Sequence, residues 1–172
     1  MTQSVSFHNL TPTSFLDRSA FVYPDKTAVV YKDKRYTYAQ FNDRVNKLAG
    51  ALKSAGIGRG DRVAFLVPNI PPMLEAHYGP MRIAAVLVAI NIRLSPREIA
   101  YILNHSGARA MVFDSEFAST IRAVKDQVPN VNTWVQVVDE FPKADDIAGP
   151  DYESFLASAP PGEHRVELAS EL

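Results

Sequence analysis

The chain contains no cysteine in 172 residues. Disulfides, thiolate metal sites and cysteine nucleophiles are thereby excluded together, and the composition suits a reducing compartment. Net charge is scarce too: 18 Lys and Arg against 19 Asp and Glu leave -1. Nucleic acid and anionic bilayers draw partners through a broad cationic field, and this balance supplies none, so no nucleic acid is expected to bind. Long hydrophobic runs are missing as well. The longest, Ile83 to Ile90, falls far short of the roughly 20 apolar residues that cross a bilayer. Residues 1–10 carry neither a basic nor an apolar segment, so no signal peptide is read there and a cytoplasmic location is expected. Only four histidines occur, His8, His77, His105 and His164. None has the spacing of a zinc site or stands beside a G-x-S-x-G serine. A phosphate loop of the form G-x-x-x-x-G-K-[ST] is absent.

What the chain does have is material for a core, since 47% of its residues are hydrophobic. Thr11-Pro12-Thr13-Ser14 opens a short helix, with Ser14 and Asp17 spaced as a capping box and Phe15, Leu16 and Phe21 as its buried side. Thr27 to Tyr31 is β-branched and aromatic. Arg35 to Thr37 returns after the polar turn Lys32-Asp33-Lys34, which makes a hairpin. Thr37 and Gln40 form a second capping box. Phe41, Val45, Leu48 and Leu52 then recur on one helix face, and Gly56 ends that helix. Arg62 to Val67 is a short apolar strand. Asn69 is placed to cap the next helix, with Pro71 and Pro72 in its first turn and Pro80 kinking or ending it.

Val86 to Ile90 reads as a buried strand, and Ser95-Pro96-Arg97-Glu98 as a helix start whose apolar face is Ile99, Ile102 and Leu103. Strands over Ala110 to Phe113 and Thr133 to Val138 flank a helix from Ser115 to Gln127. A last short helix lies near Tyr152 to Leu156. A hairpin followed by alternating helices and strands predicts an α/β fold: a largely parallel sheet flanked by helices, with an N-terminal β-hairpin. Residues 1–157 are expected to form the globular part. The polar stretch 158–172, with Pro160-Pro161-Gly162, reads as a linker.

Candidate chemistry is thin. Gly56-Ile57-Gly58-Arg59-Gly60 follows a helix and precedes a strand, the reverse of a dinucleotide fingerprint, so it reads as a turn. Asp145-Asp146 reads as solvated surface, Asp61 and Arg62 as structural hydrogen bonders, and Glu75 has no evident partner. His8 and His164 fall in polar tails, and His105 lies at a helix end where a cation is favoured. His77 shares a helix with Met73 and Tyr78, and a satisfied structural histidine is the plain reading of it. Composition and spacing yield an α/β domain and no active site.

Whole phrases say more. Leu10 to Leu16 with Tyr23-Pro24-Asp25-Lys26-Thr27-Ala28, then Arg35 to Phe41, Gly58 to Ala64, Pro68-Asn69-Ile70-Pro71, Ala85 to Pro96 with Tyr101-Ile102-Leu103, and His105-Ser106-Gly107-Ala108 follow in order. Read together, they resemble the opening of the adenylate-forming (AMP-binding) acyl-CoA synthetases, closest to fatty-acid or aromatic-acid CoA ligases. Departures fall at backbone and packing positions: many relatives carry proline where Ala89 and Ile92 stand, and glycine near Ala84.

The resemblance implies part of the larger N-terminal domain of that fold. It also implies an enzyme that joins a small carboxylic acid, foremost a fatty acid, to ATP and passes the acyl group to coenzyme A. ATP, magnesium and coenzyme A would serve the whole enzyme, none held tightly by this stretch. The family's phosphate loop is expected beyond Leu172, so no catalytic residue is assigned and the stretch alone is expected to be inactive. Met73, His77 and Tyr78 are implied as acyl-facing positions. Arg93 and Arg97 are weighed against coenzyme A phosphates and read instead as surface residues of a capped helix. The rival expectation is a short non-catalytic binding or assembly module, with a homodimer covering the surface otherwise packed on further chain.

Overall fold

The structure, a computed structural model, describes residues 10–166. His8 and residues 167–172 of the expected linker lie outside the described residues. Helix α1 (Pro12–Val22) is capped by Thr11: its hydroxyl accepts from the Ser14 amide, and the Ser14 hydroxyl accepts from the Thr11 amide. The box therefore sits one turn before the expected Ser14 and Asp17 pair. That start turns Thr13 and Leu16 inward and leaves Phe15 and Phe21 57% and 88% exposed, against the expectation that both are buried. The hairpin pairs β1 (Thr27–Tyr31) with β2 (Lys34–Thr37). Helix α2 (Tyr38–Ser54) has the expected Thr37 and Gln40 box, and Phe41, Val45, Leu48 and Leu52 are all buried. Gly56 follows in the left-handed region at φ +79°.

After β3 (Arg62–Leu66), helix α3 (Pro71–Ala76) starts from Ile70, and no side chain caps it. Asn69 stands one residue too early for that role, and Pro71 and Pro72 bring no N–H that a cap would have to satisfy. Pro80 does not end this helix. It lies in the first turn of a separate short helix, α4 (Gly79–Arg82). Ala84 then adopts φ +56°, a conformation that favours glycine, which gives the departure at this position a physical meaning.

The remaining elements are β4 (Val86–Ala89), α5 (Pro96–Ser106), β5 (Ala110–Asp114), α6 (Ala118–Val124), β6 (Thr133–Val137) and α7 (Tyr152–Ala157). Single 3-10 turns flank α6, so the expected helix over Ser115 to Gln127 is built in pieces. The expected box of Ser95 and Glu98 opens α5, and Gly107 at φ +63° closes it.

The sheet is parallel with order β4-β3-β5-β6. Alternation along its central strands feeds two cores. Val63, Phe65, Val112 and Val135 pack under α2 and α7, while Ala64, Leu66, Met111 and Phe113 pack under α5 and α6. Leu16, Val29, Phe41 and Val45 form a third, smaller core that ties α1 and the hairpin to α2. β4 is the exception to the buried-strand expectation: it is an edge strand with Val86 half exposed, because only β3 pairs with it among the described residues.

Candidate functional site

The chain leaves β3 toward β4 on one side and leaves β5 toward β6 on the other. Connections that part in this way open a crevice beyond the carboxyl ends of the two central strands, where open α/β sheets hold ligands. Here it is walled by Pro68 and Ile70, by Asp114 at the end of β5 and by Asp139 beyond β6, with Tyr31 reaching in from the hairpin. Three cavities meet at Tyr31 and Ile70.

The apolar one, about 320 Å³, runs between β1 and α3 and is lined by Val29, Val30, Ile70, Met73, Leu74 and His77 among others. Met73 and His77 thus share a cavity. The Nδ1 atom of His77 lies 2.7 Å from the Met73 carbonyl. A carbonyl oxygen only accepts, so Nδ1 is the donor in this contact. Tyr78 does not line this cavity. It packs edge-on against Phe41, with ring centroids 5.7 Å apart and planes at 89°, in the small core under the hairpin.

The acidic cavity, about 210 Å³, gathers Asp114, Glu116, Asp139 and Glu140 beside Tyr31 and Phe141. Lys32 donates to Asp139 at 2.8 Å and to Glu140 at 2.7 Å, and the Tyr31 hydroxyl donates to Asp139 at 2.6 Å. Burial pushes the Asp139 carboxyl up, but these hydrogen bonds outweigh it and hold the group below its usual range. Asp114 goes the other way. It is 3% exposed, and burial, helped by the neighbouring carboxylates, raises it although the Glu116 amide donates to it. The walls of this cavity are anionic, and the neighbouring Lys32 is already engaged by two carboxylates.

Behind the third cavity, the smallest at about 50 Å³ and lined by Tyr36, Arg44, Tyr152 and Glu153 among others, lies a network that sequence reasoning missed. Glu75 is wholly buried, accepting from Arg44 Nε at 2.6 Å and from the Tyr152 hydroxyl at 2.7 Å. Arg44 also donates to Glu153 and lies over the Tyr36 ring, 5.0 Å from its centroid. Burial raises the Glu75 carboxyl, and Arg44 and Tyr152 oppose the rise. The partners stand 31 and 77 residues away in sequence, so no local spacing could reveal them. An acid among the apolar residues of α3 was the one available signal.

Other candidates have structural work. Asp61 accepts from the Gly58 amide at 2.9 Å and from Arg109 at 2.8 Å, which fixes the glycine turn. Asp146 is paired with Arg122 rather than merely solvated. His105 stacks on Tyr101, with centroids 5.4 Å apart. Arg93 and Arg97 are exposed and line none of these three cavities.

A family model described as AMP-binding enzyme matches residues 16–167. The chain is 46% identical over 119 residues to 4-hydroxybutyrate–CoA ligase 2 of Metallosphaera sedula, covering 69% of this chain and 22% of that protein. It is 34% identical over 158 residues to the peroxisomal benzoate–CoA ligase of Arabidopsis thaliana, covering 88% and 27% respectively. Among solved structures, the inhibitor-bound N-terminal domain of FACL13 from Mycobacterium tuberculosis superposes with a TM-score of 0.79 at 34% identity, covering 91% of this chain and 37% of that one. The chain therefore spans roughly a quarter of the length of these curated relatives.

Proposed function

Because this chain belongs to the AMP-binding enzyme family, we propose that it forms the N-terminal part of an AMP-forming acid–CoA ligase, with a fatty acid foremost among its substrates. In such a reaction a carboxylate oxygen attacks the α-phosphorus of ATP and pyrophosphate leaves. The thiol of coenzyme A then attacks the acyl carbon and AMP leaves. Both steps bring anions together, so they need magnesium, cationic side chains and oriented N–H donors. An anionic crevice is poorly made for that task, and chain outside this stretch would hold ATP, magnesium and coenzyme A.

The observation that carries the reading is the family match over nearly the whole described chain, joined to relatives named as acid–CoA ligases. The likeness to a Mycobacterium tuberculosis fatty acyl CoA synthetase, with a TM-score of 0.78 at 34% identity, supports a fatty acid. Within this stretch, Met73 and His77 are the proposed acyl-facing residues, and Tyr78 supports them from the core behind. The test incubates the chain with ATP, magnesium and a panel of decanoate, 4-hydroxybutyrate and benzoate. No pyrophosphate above background is expected, and steady turnover would overturn the assignment of catalysis to other chain. In parallel, decanoate should shift the Met73 methyl and His77 ring signals in NMR spectra while leaving Phe41 unmoved. Unmoved Met73 and His77 would sink the acyl-facing role.

A second reading, a non-catalytic assembly module, is favoured by the half-exposed apolar strand β4. Sedimentation separates the two: a stable dimer at micromolar concentration supports the module, and a monomer removes its support.

A further inference from the structure

The stretch from residue 158 reads as a linker by composition, yet residues 160–166 lie docked against α2 and α4. Asn46 of α2 uses both ends of its amide. Nδ2 donates to the Gly162 carbonyl at 2.8 Å, and Oδ1 accepts from the His164 amide at 2.9 Å. The His164 ring lies so close to Gly50 that a Cβ at residue 50 would overlap it. Farther on, the Val166 amide donates to the Arg82 carbonyl at 2.8 Å. These contacts name a seat with a defined register: an amide clamp, a glycine floor and a backbone stop.

Beside the seat is an open cleft of about 480 Å³, bordered by Asp17, Asn42, Asn46, Arg82, Gly162 and Glu163. The Arg82 side chain is only 2% exposed. Its Nη2 donates to Asp17 Oδ1 at 2.5 Å and to Asn42. Its Nε is buried and, among the described residues, meets no acceptor. The second oxygen of Asp17 is occupied elsewhere, accepting from Arg165 Nη1 at 2.7 Å. A guanidinium presents Nε–H and an Nη2–H as a fork that matches the two oxygens of one carboxylate. Asp17 fills one prong of that fork while the docked segment holds its other oxygen.

We propose that residues 160–166 are a reversible strap, and that its release lets Asp17 close on Arg82 as a two-pronged pair. The docked and released states exchange one charge-assisted hydrogen bond for another. Docking gains the Arg165–Asp17 pair and leaves a buried donor unsatisfied; release restores that donor and gives up the strap's backbone bonds. Neither state is therefore strongly preferred through Asp17, and the strap is poised. Salt tips the balance, because Arg165 is 40% exposed and screened by ions whereas Arg82 is sheltered. Asp17 lies on α1 and Arg165 beyond α7, so the state of the strap is transmitted directly to the first helix.

Hydrogen exchange followed by NMR on the 172-residue chain tests this. At low salt the His164 and Val166 amides should exchange at least about tenfold more slowly than those of Glu163 and Arg165, and added salt should narrow the gap. Gly50→Ala should lower the protection while the amides of β3 and β5 stay protected, because the ring that must move belongs to the strap. Arg165→Gln, an exposed change that does not threaten folding, should weaken the protection and also shift and slow the Arg82 Nε–H signal as Asp17 closes on it. Equal rates for all four amides in the unaltered chain overturn docking. Full protection in Gly50→Ala overturns the seat, and an unaltered Arg82 Nε–H in Arg165→Gln overturns the shared carboxylate.

Discussion

The two ends of the parallel sheet are finished in opposite ways. At the amino end, charged groups are tied mainly to backbone: Arg62 donates to the carbonyls of Ser106, Gly107 and Gly60, and Asp61 accepts from the Gly58 amide as well as from Arg109. At the carboxyl end, charges are tied mainly to other side chains, as Lys32 is to Asp139 and Glu140, around cavities that remain open. Backbone partners lock loops into one arrangement; side-chain partners can be exchanged for a ligand. The difference separates an end that holds the fold from an end with room to bind.

The comparison can be broken most forcefully at Glu75, which belongs to the carboxyl end yet is buried like a core residue. Glu75→Ala should lower the unfolding free energy by about 3 kcal/mol, since Arg44 and the Tyr152 hydroxyl lose a shared acceptor. Urea unfolding followed by Trp134 fluorescence measures it, and a loss under about 1 kcal/mol would class the network with surface pairs. At the amino end, Arg62→Ala should lower stability by about 2 kcal/mol through its lost carbonyl contacts. The same titration checks it, and no loss would dissolve the contrast between the ends.

Ala84 lies at the amino end too, where its carbonyl accepts from the Gly60 amide. Relief of its left-handed backbone should make Ala84→Gly more stable by about 1 kcal/mol, read as a higher Tm; a lower Tm would mean that the turn is unstrained. The subtlest test is one of sign. The Gly58 amide, then Arg109, depresses Asp61 against the opposing effect of burial. Its stabilisation is present above the ordinary aspartate value of 3.8 and is lost as pH falls through the depressed one. Asp114 is raised by burial, so its charge opposes folding progressively as pH climbs from the ordinary value through the raised one. Asp61→Asn should therefore destabilise at pH 7 and converge with the parent in acid. Asp114→Asn should stabilise at pH 7 and converge in acid as well. Shifts of the same sign at pH 7 would erase the distinction between the two carboxylates.

Local physics made much of the fold legible. The capping boxes at Thr37 and Ser95, the apolar spacing from Phe41 to Leu52 and the glycine at residue 56 each act within one or two turns, and each stands as expected. Local signals failed where competing signals were adjacent. Thr11 rather than Ser14 caps α1, and proline at residue 80 starts a helix instead of stopping one. Val86 to Ala89 has the composition of a central strand, but strand order, which no local pattern encodes, puts it at the edge. The site was legible only in part. Met73 and His77 lie three to four residues from their cavity neighbours Ile70, Met73 and Leu74, on one short helix or at its caps, so spacing brings them together. Asp114, Asp139 and Lys32 meet only because separate strands and the hairpin end at one place.

The edge position of β4 carries one more consequence. The other boundary of the sheet is already engaged, since the Gln136 amide donates to the Pro150 carbonyl and Gln136 bridges to Asp151. Among the described residues the sheet can lengthen only through β4. A second copy brought up by a two-fold rotation would meet it strand against strand, antiparallel, to give one sheet of twice four strands. Such a product would use up both copies of β4 and leave as its boundaries the two β6 strands, each met by the Asp151 bridge, so the bare strand that invites growth would be consumed by a single addition.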